Sequence, residues 1–242
     1  MKALILAAGL GSRLAPLTDN CPKSLVEVNG KPILFKQIEN LHENGITDIT
    51  IISGYKAEIL ESRVKEKYPE ISIIRSVDYA TTNNMYSAYL ARNVMKDESF
   101  LMMNADVFYD SSVLTELLEF DYPNAIVTDI GTYNDESMKV IQKDGRLVKI
   151  SKQISEEDAL GCSIDVYKFS PEGGQAFFNK CKEYIEEKKE LKMWSEVALN
   201  DILDEIAFKA CPLLGRWFEI DNHEDLAKAS AIFKNDSFSK VR

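Results

Sequence analysis

The sequence has few of the residues that build covalent frameworks or soft metal sites. Its 242 residues include four cysteines and two histidines, and no two cysteines form a C-x-x-C pair. This sparse spacing argues against both a zinc site and a disulfide framework. It favours free thiols in a reducing compartment, so we expect a cytoplasmic protein.

Long apolar runs and an excess of positive charge are also missing. No apolar segment approaches the ~20 residues that a transmembrane helix needs. The first apolar run follows Met1 and Lys2 directly, so we expect no signal peptide. Lysine and arginine total 29 against 39 for aspartate and glutamate, a formal net charge of −10. Nucleic acids and anionic membranes repel such a protein, so we expect neither as a partner.

The stretch 6–23, LAAGLGSRLAPLTDNCPK, stands out against this acidic background. It follows an apolar run that predicts a buried strand, and it combines Gly9 and Gly11 with two cations, Arg13 and Lys23. Glycines let backbone N–H groups approach a ligand closely, while the Arg fork and the Lys ammonium bind phosphate oxygens. The pattern is neither a dinucleotide fingerprint nor a P-loop. It favours a nucleoside triphosphate loop over a glycine turn with solvated cations.

The motifs of this stretch and of the segment that follows it resemble those of the nucleotidyltransferases, which join a nucleoside triphosphate to a phosphorylated small molecule. G-x-G-S-R, P-K-S-L and N-G-K-P occur in that order. The resemblance continues through 83–87 (NNMYS), 104–106 (NAD) and 217–221 (WFEID), and so spans nearly the whole chain. NNMYS and the short C-terminal part are most similar to the phosphocholine and 2-aminoethylphosphonate cytidylyltransferases.

This resemblance implies that CMP is transferred from CTP to a small phosphorylated amine, phosphonate or amide, with release of pyrophosphate. Phosphocholine, 2-aminoethylphosphonate and a phosphorylated amino acid such as phosphoglutamine are all open as acceptors. A hexose-1-phosphate nucleotidylyltransferase is the first alternative, and a nucleotide-binding regulator that has lost activity is the second. The oligomeric state is open, a homodimer included.

Strand and helix patterns alternate along the first half of the chain. This alternation predicts a doubly wound α/β fold with a mixed, mainly parallel sheet. The resemblance implies that this is the Rossmann-like fold of the nucleotidyltransferases. Two strand-like runs around Asp144 and Gly145 predict a hairpin, part of a small antiparallel elaboration on the acceptor side. We predict a single domain, 1–242, with a nucleotide-binding part (1–137), an acceptor-binding part (138–234) and a polar tail (235–242).

The predicted elements follow from hydrophobic periodicity and capping signals. The predicted strands are 2–6, 26–28, 46–53, 71–75, 99–103, 124–129, 138–142, 146–151, 162–169, 207–211 and 217–220. The predicted helices are 32–44, 56–68, 83–94, 111–120, 171–189, 195–205 and 222–233.

The resemblance implies a nucleotide site built from the loop, the start of a helix and the end of a strand. Asn83 and Asn84 have the donors and acceptors to read a pyrimidine edge, although either also suits a helix N-cap. The predicted nucleotide-binding residues are Leu6, Ala7, Ala8, Gly9, Gly11, Ser12, Arg13, Lys23, Asn83, Asn84, Ser87, Asn104 and Ala105.

Two aspartates each follow an apolar strand, and the resemblance implies that both face the triphosphate. Asp106 and Asp221 are the predicted ligands of Mg²⁺, or of Mn²⁺, since hard cations prefer oxygen ligands. The alternative is that each aspartate only caps the helix behind it. Many relatives carry Asp-x-Asp where this chain has Asn104, which leaves one aspartate on this strand.

Catalysis by positioning and charge needs no covalent nucleophile. We predict Arg13, Lys23 and Lys152 as catalytic, and expect Lys23, as a loop residue, to contribute little to the fold. Lys152 matches a lysine that relatives aim at the acceptor phosphate, and the Glu-Lys-Pro form of hexose-phosphate enzymes is absent.

The acceptor side combines aromatic and acidic residues, a lining that suits a positively charged head. In the ordinary alternative, Trp194 is a core anchor and Glu196 is a first-turn acid favoured by the helix dipole. The predicted acceptor-binding residues are Tyr86, Lys152, Asp165, Trp194, Glu196, Trp217 and Glu219.

Overall fold

A computed structural model describes residues 1–133 and 136–234, so the predicted tail at 235–242 lies outside the described residues. The strands are β1 (Lys2–Ala7), β2 (Glu27–Val28), β3 (Lys31–Pro32), β4 (Ile49–Ser53), β5 (Ser72–Arg75), β6 (Phe100–Asn104), β7 (Val107–Tyr109), β8 (Ala125–Ile130), β9 (Lys139–Lys143), β10 (Arg146–Ser151), β11 (Gly161–Phe169), β12 (Lys209–Pro212) and β13 (Trp217–Glu219). The α-helices are α1 (Ile33–Glu43), α2 (Ala57–Lys67), α3 (Asn84–Leu90), α4 (Ser112–Glu119), α5 (Pro171–Lys182), α6 (Ser195–Ile202) and α7 (His223–Ile232).

The central sheet has nine strands and runs β10-β9-β11-β6-β1-β4-β5, with β8 paired to β11 and β12 paired to β8. β1 lies parallel to both β4 and β6, and β5 continues the parallel half. β11 runs antiparallel to β6 and joins this half to the β9–β10 hairpin. Asp144 and Gly145 both have positive φ at the tip of that hairpin, as a two-residue turn requires. The mixed sheet with an antiparallel elaboration is confirmed.

Helices cover both faces of the sheet because the central strands are apolar on both sides. In β1, Ile5 packs in the cluster formed with α1, α2 and α4. Its neighbours Leu4 and Leu6 pack on the opposite face with α3, α5 and α6. A third cluster, around Phe108, Ile220 and other buried residues, lies against α7. The doubly wound arrangement is therefore confirmed.

Several predicted boundaries differ from the structure. The helix predicted to end near residue 94 ends at Leu90, and the helix predicted over 195–205 ends at Ile202. Two other differences have a clear local reason. The fourth strand begins at Ile49 rather than at residue 46, because Ile46 belongs to the end of α1. Gly45 has φ +76° and Ile46 donates its N–H to the carbonyl of Leu41, which is the C-terminal motif that stops a helix. The helix predicted over 171–189 is α-helical to Lys182 and continues as a π-helical turn.

Candidate active site

A cleft of about 460 Å³ opens at the carboxyl ends of β1 and β6, where open parallel sheets place their ligands. The predicted residues that line it are Leu6, Ala7, Ala8, Gly9, Arg13, Lys23, Asn83, Asn84, Ser87, Asn104, Ala105, Asp106, Lys152, Asp165, Trp194, Glu196, Trp217, Glu219 and Asp221. Three predicted residues, Gly11, Ser12 and Tyr86, are not among the lining residues. The lining residues that the sequence did not indicate include Ser24, Tyr79, Thr82, Cys162 and Ser163.

Lys23 lies at the centre of the charged end of the cleft. Its Nζ is 2.8 Å from Oδ2 of Asp106 and 2.6 Å from Oδ1 of Asp221. Burial alone would lower the pKa of Lys23, but the two carboxylates outweigh it and hold the pKa above its ordinary range. The side chain is only 13% exposed. The expectation that Lys23 has little to bury is therefore wrong, because its mostly buried ammonium pairs with two partly buried carboxylates.

Asp106 and Asp221 meet because two short strands pair. β7 and β13 are antiparallel, with Val107 opposite Glu219, and the N–H of Ile220 donates to the carbonyl of Asp106 at 2.9 Å. Each aspartate is thus placed beside one end of the same two-stranded ladder. The end of β6 places Asp106, and the β7–β13 pairing brings Asp221, far away in sequence, beside it.

The alternative that both aspartates are helix caps does not fit this geometry. Asp106 leads into β7 rather than into a helix. The cap of α7 is Asn222, whose side chain accepts from the N–H groups of Glu224 and Asp225. Asp221 is therefore left to face the cleft.

Gly11 and Arg13 support this charged end in different ways. Gly11 has φ +61°, and a Cβ built there would lie 2.6 Å from Cβ of Lys23. Only glycine lets the loop pack so closely against the lysine stem. The guanidinium of Arg13 is 2.8 Å from Oδ2 of Asp221. Burial raises the pKa of Asp221, but Lys23 and Arg13 outweigh it and lower the pKa below its ordinary value.

The acidic residues at this end have the composition of a divalent cation site. One carboxylate oxygen from each of Asp106, Glu219 and Asp221 lies within 4.8 Å of the others. Oδ1 of Asp106 is buried and has no hydrogen-bond partner, which leaves an oxygen available to a cation. Hard cations such as Mg²⁺ take oxygen ligands of this kind. The residues present therefore fit Mg²⁺ or Mn²⁺.

Glu219 belongs to this acidic group, although the sequence placed it on the acceptor side. The residue as a whole is exposed, but protein atoms around its carboxyl group displace water there. This desolvation and the nearby carboxylates of Asp165, Asp106 and Asp221 raise its pKa. The raised pKa reflects a surplus of negative charge. Such a surplus is relieved when a cation binds.

A second acidic group surrounds the hydroxyl of Tyr167. This hydroxyl lies 2.8 Å from Oδ1 of Asp165 and 3.0 Å from Oε1 of Glu196, while Nδ2 of Asn104 donates to Oδ2 of Asp165 at 2.9 Å. One hydroxyl proton cannot satisfy two ionised carboxylates. Burial and the charges of Glu196 and Asp106 accordingly raise the pKa of Asp165.

Tyr167 was missed by the sequence analysis because a buried aromatic residue in a strand is usually part of the core. The available signal was its spacing, since residues two apart in a strand share a face, and Asp165 was already a candidate. Asp165 itself has φ +59°, at an irregularity in the pairing of β11 with β8. This kink turns the carboxyl toward the cleft.

The aromatic residues of the acceptor side occupy different surroundings. Trp194 is 46% exposed, so the alternative that it anchors the core is wrong. Nζ of Lys152 lies 5.2 Å from its ring centre. Trp217 donates its indole N–H to Oδ2 of Asp129 at 2.7 Å, whereas the hydroxyl of Tyr86 bonds to Asp78.

Asn83 and Asn84 both hold helix ends as well as lining the cleft. Oδ1 of Asn83 accepts from the N–H of Asn84 and caps α3, as the capping alternative predicted. Oδ1 of Asn84 accepts from the N–H of Ser195 at the start of α6. The two asparagines therefore fix α3 against the segment that carries Trp194 and Glu196.

Comparison with known proteins identifies the family. The sequence model of the nucleotidyl transferase family matches residues 2–140. This chain belongs to the nucleotidyl transferase family. The choline-phosphate cytidylyltransferase of Streptococcus pneumoniae is 31% identical over 258 residues, which cover 98% of this chain and 100% of that protein.

No helix in the described part of the chain is long and apolar enough to span a membrane.

Other members of the nucleotidyl transferase family match along most of this chain. The CTP:phosphoglutamine cytidylyltransferase of Campylobacter jejuni is 27% identical, with coverage of 93% of this chain and 98% of that protein. The bifunctional IPC transferase and DIPP synthase of Aquifex aeolicus is 29% identical, but only 50% of its length is matched. The solved structure of CTP:phosphocholine cytidylyltransferase from Streptococcus pneumoniae has a TM-score of 0.80 at 28% identity, with coverage of 96% of this chain and 98% of that chain.

Replacement of Lys23 by Ala should lower kcat at least ~100-fold, because it removes a cation where charge develops in the transition state. It should also lower the free energy of unfolding by ~3 kcal/mol, since two carboxylates lose their partner. Lys31→Ala is the matched control, because Lys31 is a buried lysine paired with Glu39 outside the cleft lining. The control should lose stability and keep its turnover; near wild-type kcat in folded Lys23→Ala would contradict the assignment.

Activity should require added Mg²⁺ or Mn²⁺, and Asp106→Asn and Asp221→Asn should each lose at least ~100-fold in kcat/KM. Asp110→Asn is the control, because Asp110 pairs with Arg216 nearby but does not line the cleft. Steady-state rates with and without excess chelator provide the measurement. Undiminished turnover in chelator would show that these carboxylates have a structural role.

Proposed function

We propose that this nucleotidyltransferase is a cytidylyltransferase that transfers CMP from CTP to a small phosphorylated acceptor with a positively charged head. The acceptor class is inferred from one observation: the carboxylates of Asp165 and Glu196 both accept from the hydroxyl of Tyr167 in the cleft wall. The choice of CTP is supported by the 31% identical choline-phosphate cytidylyltransferase and the CTP:phosphoglutamine cytidylyltransferase. Phosphocholine, 2-aminoethylphosphonate and phosphoglutamine are the acceptors that follow.

The reaction is an in-line displacement. A phosphate or phosphonate oxygen of the acceptor attacks the α-phosphorus of CTP, a new P–O bond forms, and the bond to pyrophosphate breaks. Arg13 and Lys23 hold the anionic phosphates, and Lys152 holds the acceptor phosphate. Asp106, Glu219 and Asp221 would hold Mg²⁺, which when bound would offset negative charge on the α-phosphate and the leaving pyrophosphate. No covalent enzyme intermediate is required, so catalysis depends on positioning and charge.

A cationic head fits the second acidic group better than a neutral sugar does. Asp165 and Glu196 share one tyrosine proton, and Glu196 is only 3% exposed. A neutral acceptor would leave this surplus of negative charge uncompensated in a poorly hydrated wall. An ammonium group supplies the missing positive charge, and the faces of Trp194 and Trp217 in the same cleft attract it.

The domain organisation belongs to the same proposal. The nucleotide-binding part (1–137) and the acceptor-binding part (138–234) form one domain, supported by the pairing of β11 with β6 across that boundary. The enzyme acts in the cytoplasm, where CTP is available, and a homodimer is compatible with its activity.

The proposal predicts a ranking of acceptors. Pyrophosphate release should be fastest with CTP and an aminated acceptor, and at least ~100-fold slower in kcat/KM with glucose 1-phosphate. The panel contains phosphocholine, 2-aminoethylphosphonate, phosphoglutamine and glucose 1-phosphate, each with CTP, UTP and dTTP. Preference for glucose 1-phosphate would favour the hexose-1-phosphate enzyme. Absence of turnover with every pair would favour the inactive regulator.

Glu196→Gln should raise KM for the preferred aminated acceptor about tenfold, close to 1.4 kcal/mol, and leave KM for CTP unchanged. Glu172→Gln is the matched control, because Glu172 is also a first-turn acid but lies at the start of α5, outside the cleft. A role limited to the helix dipole predicts a similar small stability loss in both variants and no change in KM. Steady-state kinetics on both substrates separate the two roles.

A further inference from the structure

One face of α1 carries amide side chains that the reaction does not use. Gln37 and Asn40 lie three residues apart, and Asn44 follows at the helix end, so all three share a face. Their side-chain N–H groups donate to the chain between Asn104 and Ser111. That segment contains Asp106, so α1 holds the backbone on both sides of a proposed metal ligand.

Gln37 makes the contacts nearest to Asp106. It is fully buried and is absent from the cleft lining. Its Nε2 donates to the carbonyl of Asn104 at 2.9 Å and to the carbonyl of Val107 at 2.8 Å. A primary amide has two N–H protons, so one side chain satisfies the two carbonyls that flank Ala105 and Asp106.

Backbone hydrogen bonds also hold the turn at Ala105 and Asp106. Ala105 donates its N–H to the carbonyl of Leu6 at 3.0 Å, and the carbonyl of Asp106 accepts from Ile220. These bonds fix the turn to β1 on one side and to the β13 segment on the other. Gln37 adds two hydrogen bonds to this turn from α1. We therefore expect the direction of the Asp106 side chain to depend on Gln37.

The amide is retained at a cost to stability. Oε1 of Gln37 is buried with no hydrogen-bond partner, and an unsatisfied buried acceptor is unfavourable. An apolar side chain of the same length would avoid that cost but would leave both carbonyls unpaired. The two donors are therefore the feature of Gln37 that the fold uses.

We propose that Gln37 is a positioning residue that sets the affinity of the site for its divalent cation by fixing the turn that carries Asp106. This inference rests on the metal role assigned to Asp106 and Asp221 under the proposed function. Oδ1 of Asp106 is buried and unpartnered, while its Oδ2 bonds to Lys23. A shift of the turn would misplace both oxygens. Groups that orient metal ligands in this way typically change metal affinity by 10- to 100-fold when they are lost.

The test compares Gln37→Met with Asn40→Leu. Asn40 is an internal control of the same chemistry: it is fully buried, its Nδ2 donates to the carbonyl of Tyr109 at 2.9 Å, and its Oδ1 also lacks a partner. Both substitutions keep the approximate side-chain size and remove the donors. Binding of Mn²⁺ is measured by electron paramagnetic resonance with α,β-methylene-CTP present, and thermal unfolding is measured in parallel.

The expected result is a ~10-fold higher Kd for Mn²⁺ in Gln37→Met and an unchanged Kd in Asn40→Leu, with similar losses of thermal stability. The Mg²⁺ concentration for half-maximal turnover should rise by the same factor only in the Gln37 variant, and excess Mg²⁺ should restore much of its kcat. Gln37→Glu provides a second variant if Gln37→Met does not fold. A protonated Glu side chain keeps one donor, so the Kd of this variant for Mn²⁺ should lie between that of the wild type and that of Gln37→Met.

Three results would overturn the inference. If the wild type binds Mn²⁺ and every folded Gln37 variant binds it equally well, the amide is only structural and the proposed function stands. An equal loss of Mn²⁺ affinity in the Gln37 and Asn40 variants would have the same meaning, because it would come from a general loosening of the segment 104–111 and not from Gln37 in particular. If the wild type with nucleotide analogue binds no Mn²⁺, the metal role of Asp106 fails together with this inference.

Discussion

The pairing of one ammonium with two carboxylates organises this molecule. Lys23 contacts Asp106, 83 residues later, and Asp221, 198 residues later. The loop after β1, the end of β6 and the end of β13 therefore meet at a single charge. Under the proposed function the same charge also binds the substrate phosphates, so substrate binding would compete with an interaction that stabilises the fold. Such competition is a common cost of placing strained or strongly charged groups in active sites.

The parts of the fold that the sequence predicted are those that local patterns encode. The parallel strands are short apolar runs, and the loop around Gly11 is recognisable from its glycines and cations. Asp106 and Asp221 were found because each follows an apolar strand. The grouping of Glu219 with them was not predicted, because it depends on β7 and β13, two strands of three residues each. A strand at 217–220 was predicted, but β7 was not, and the pairing of two such short, distant strands leaves no signal in either sequence.

Residues that act through other residues are harder still to predict. Tyr167 and Gln37 are buried, and their sequence patterns are those of ordinary core positions in a strand and a helix. Their roles follow from the contacts of a hydroxyl and an amide with groups on other elements. The same reasoning explains the boundary at Ile46, which reads as strand by composition but serves as the end of α1. Sequence periodicity reports burial, whereas these roles depend on which polar atom is buried beside which partner.

Asn104 shows how the two ends of the cleft constrain each other. The resemblance led us to expect an acid at this position, where this chain has an amide that donates to Asp165 at 2.9 Å. An ionised aspartate at 104 could not donate, and it would place another negative charge against a carboxyl whose pKa is already raised by its neighbours. The acidic wall on the acceptor side is therefore compatible with an amide on β6 and unfavourable with a carboxylate there. Under the proposed function, the metal would then be held by Asp106, Glu219 and Asp221, which lie in or directly beside the β7–β13 ladder, rather than by an acid at position 104.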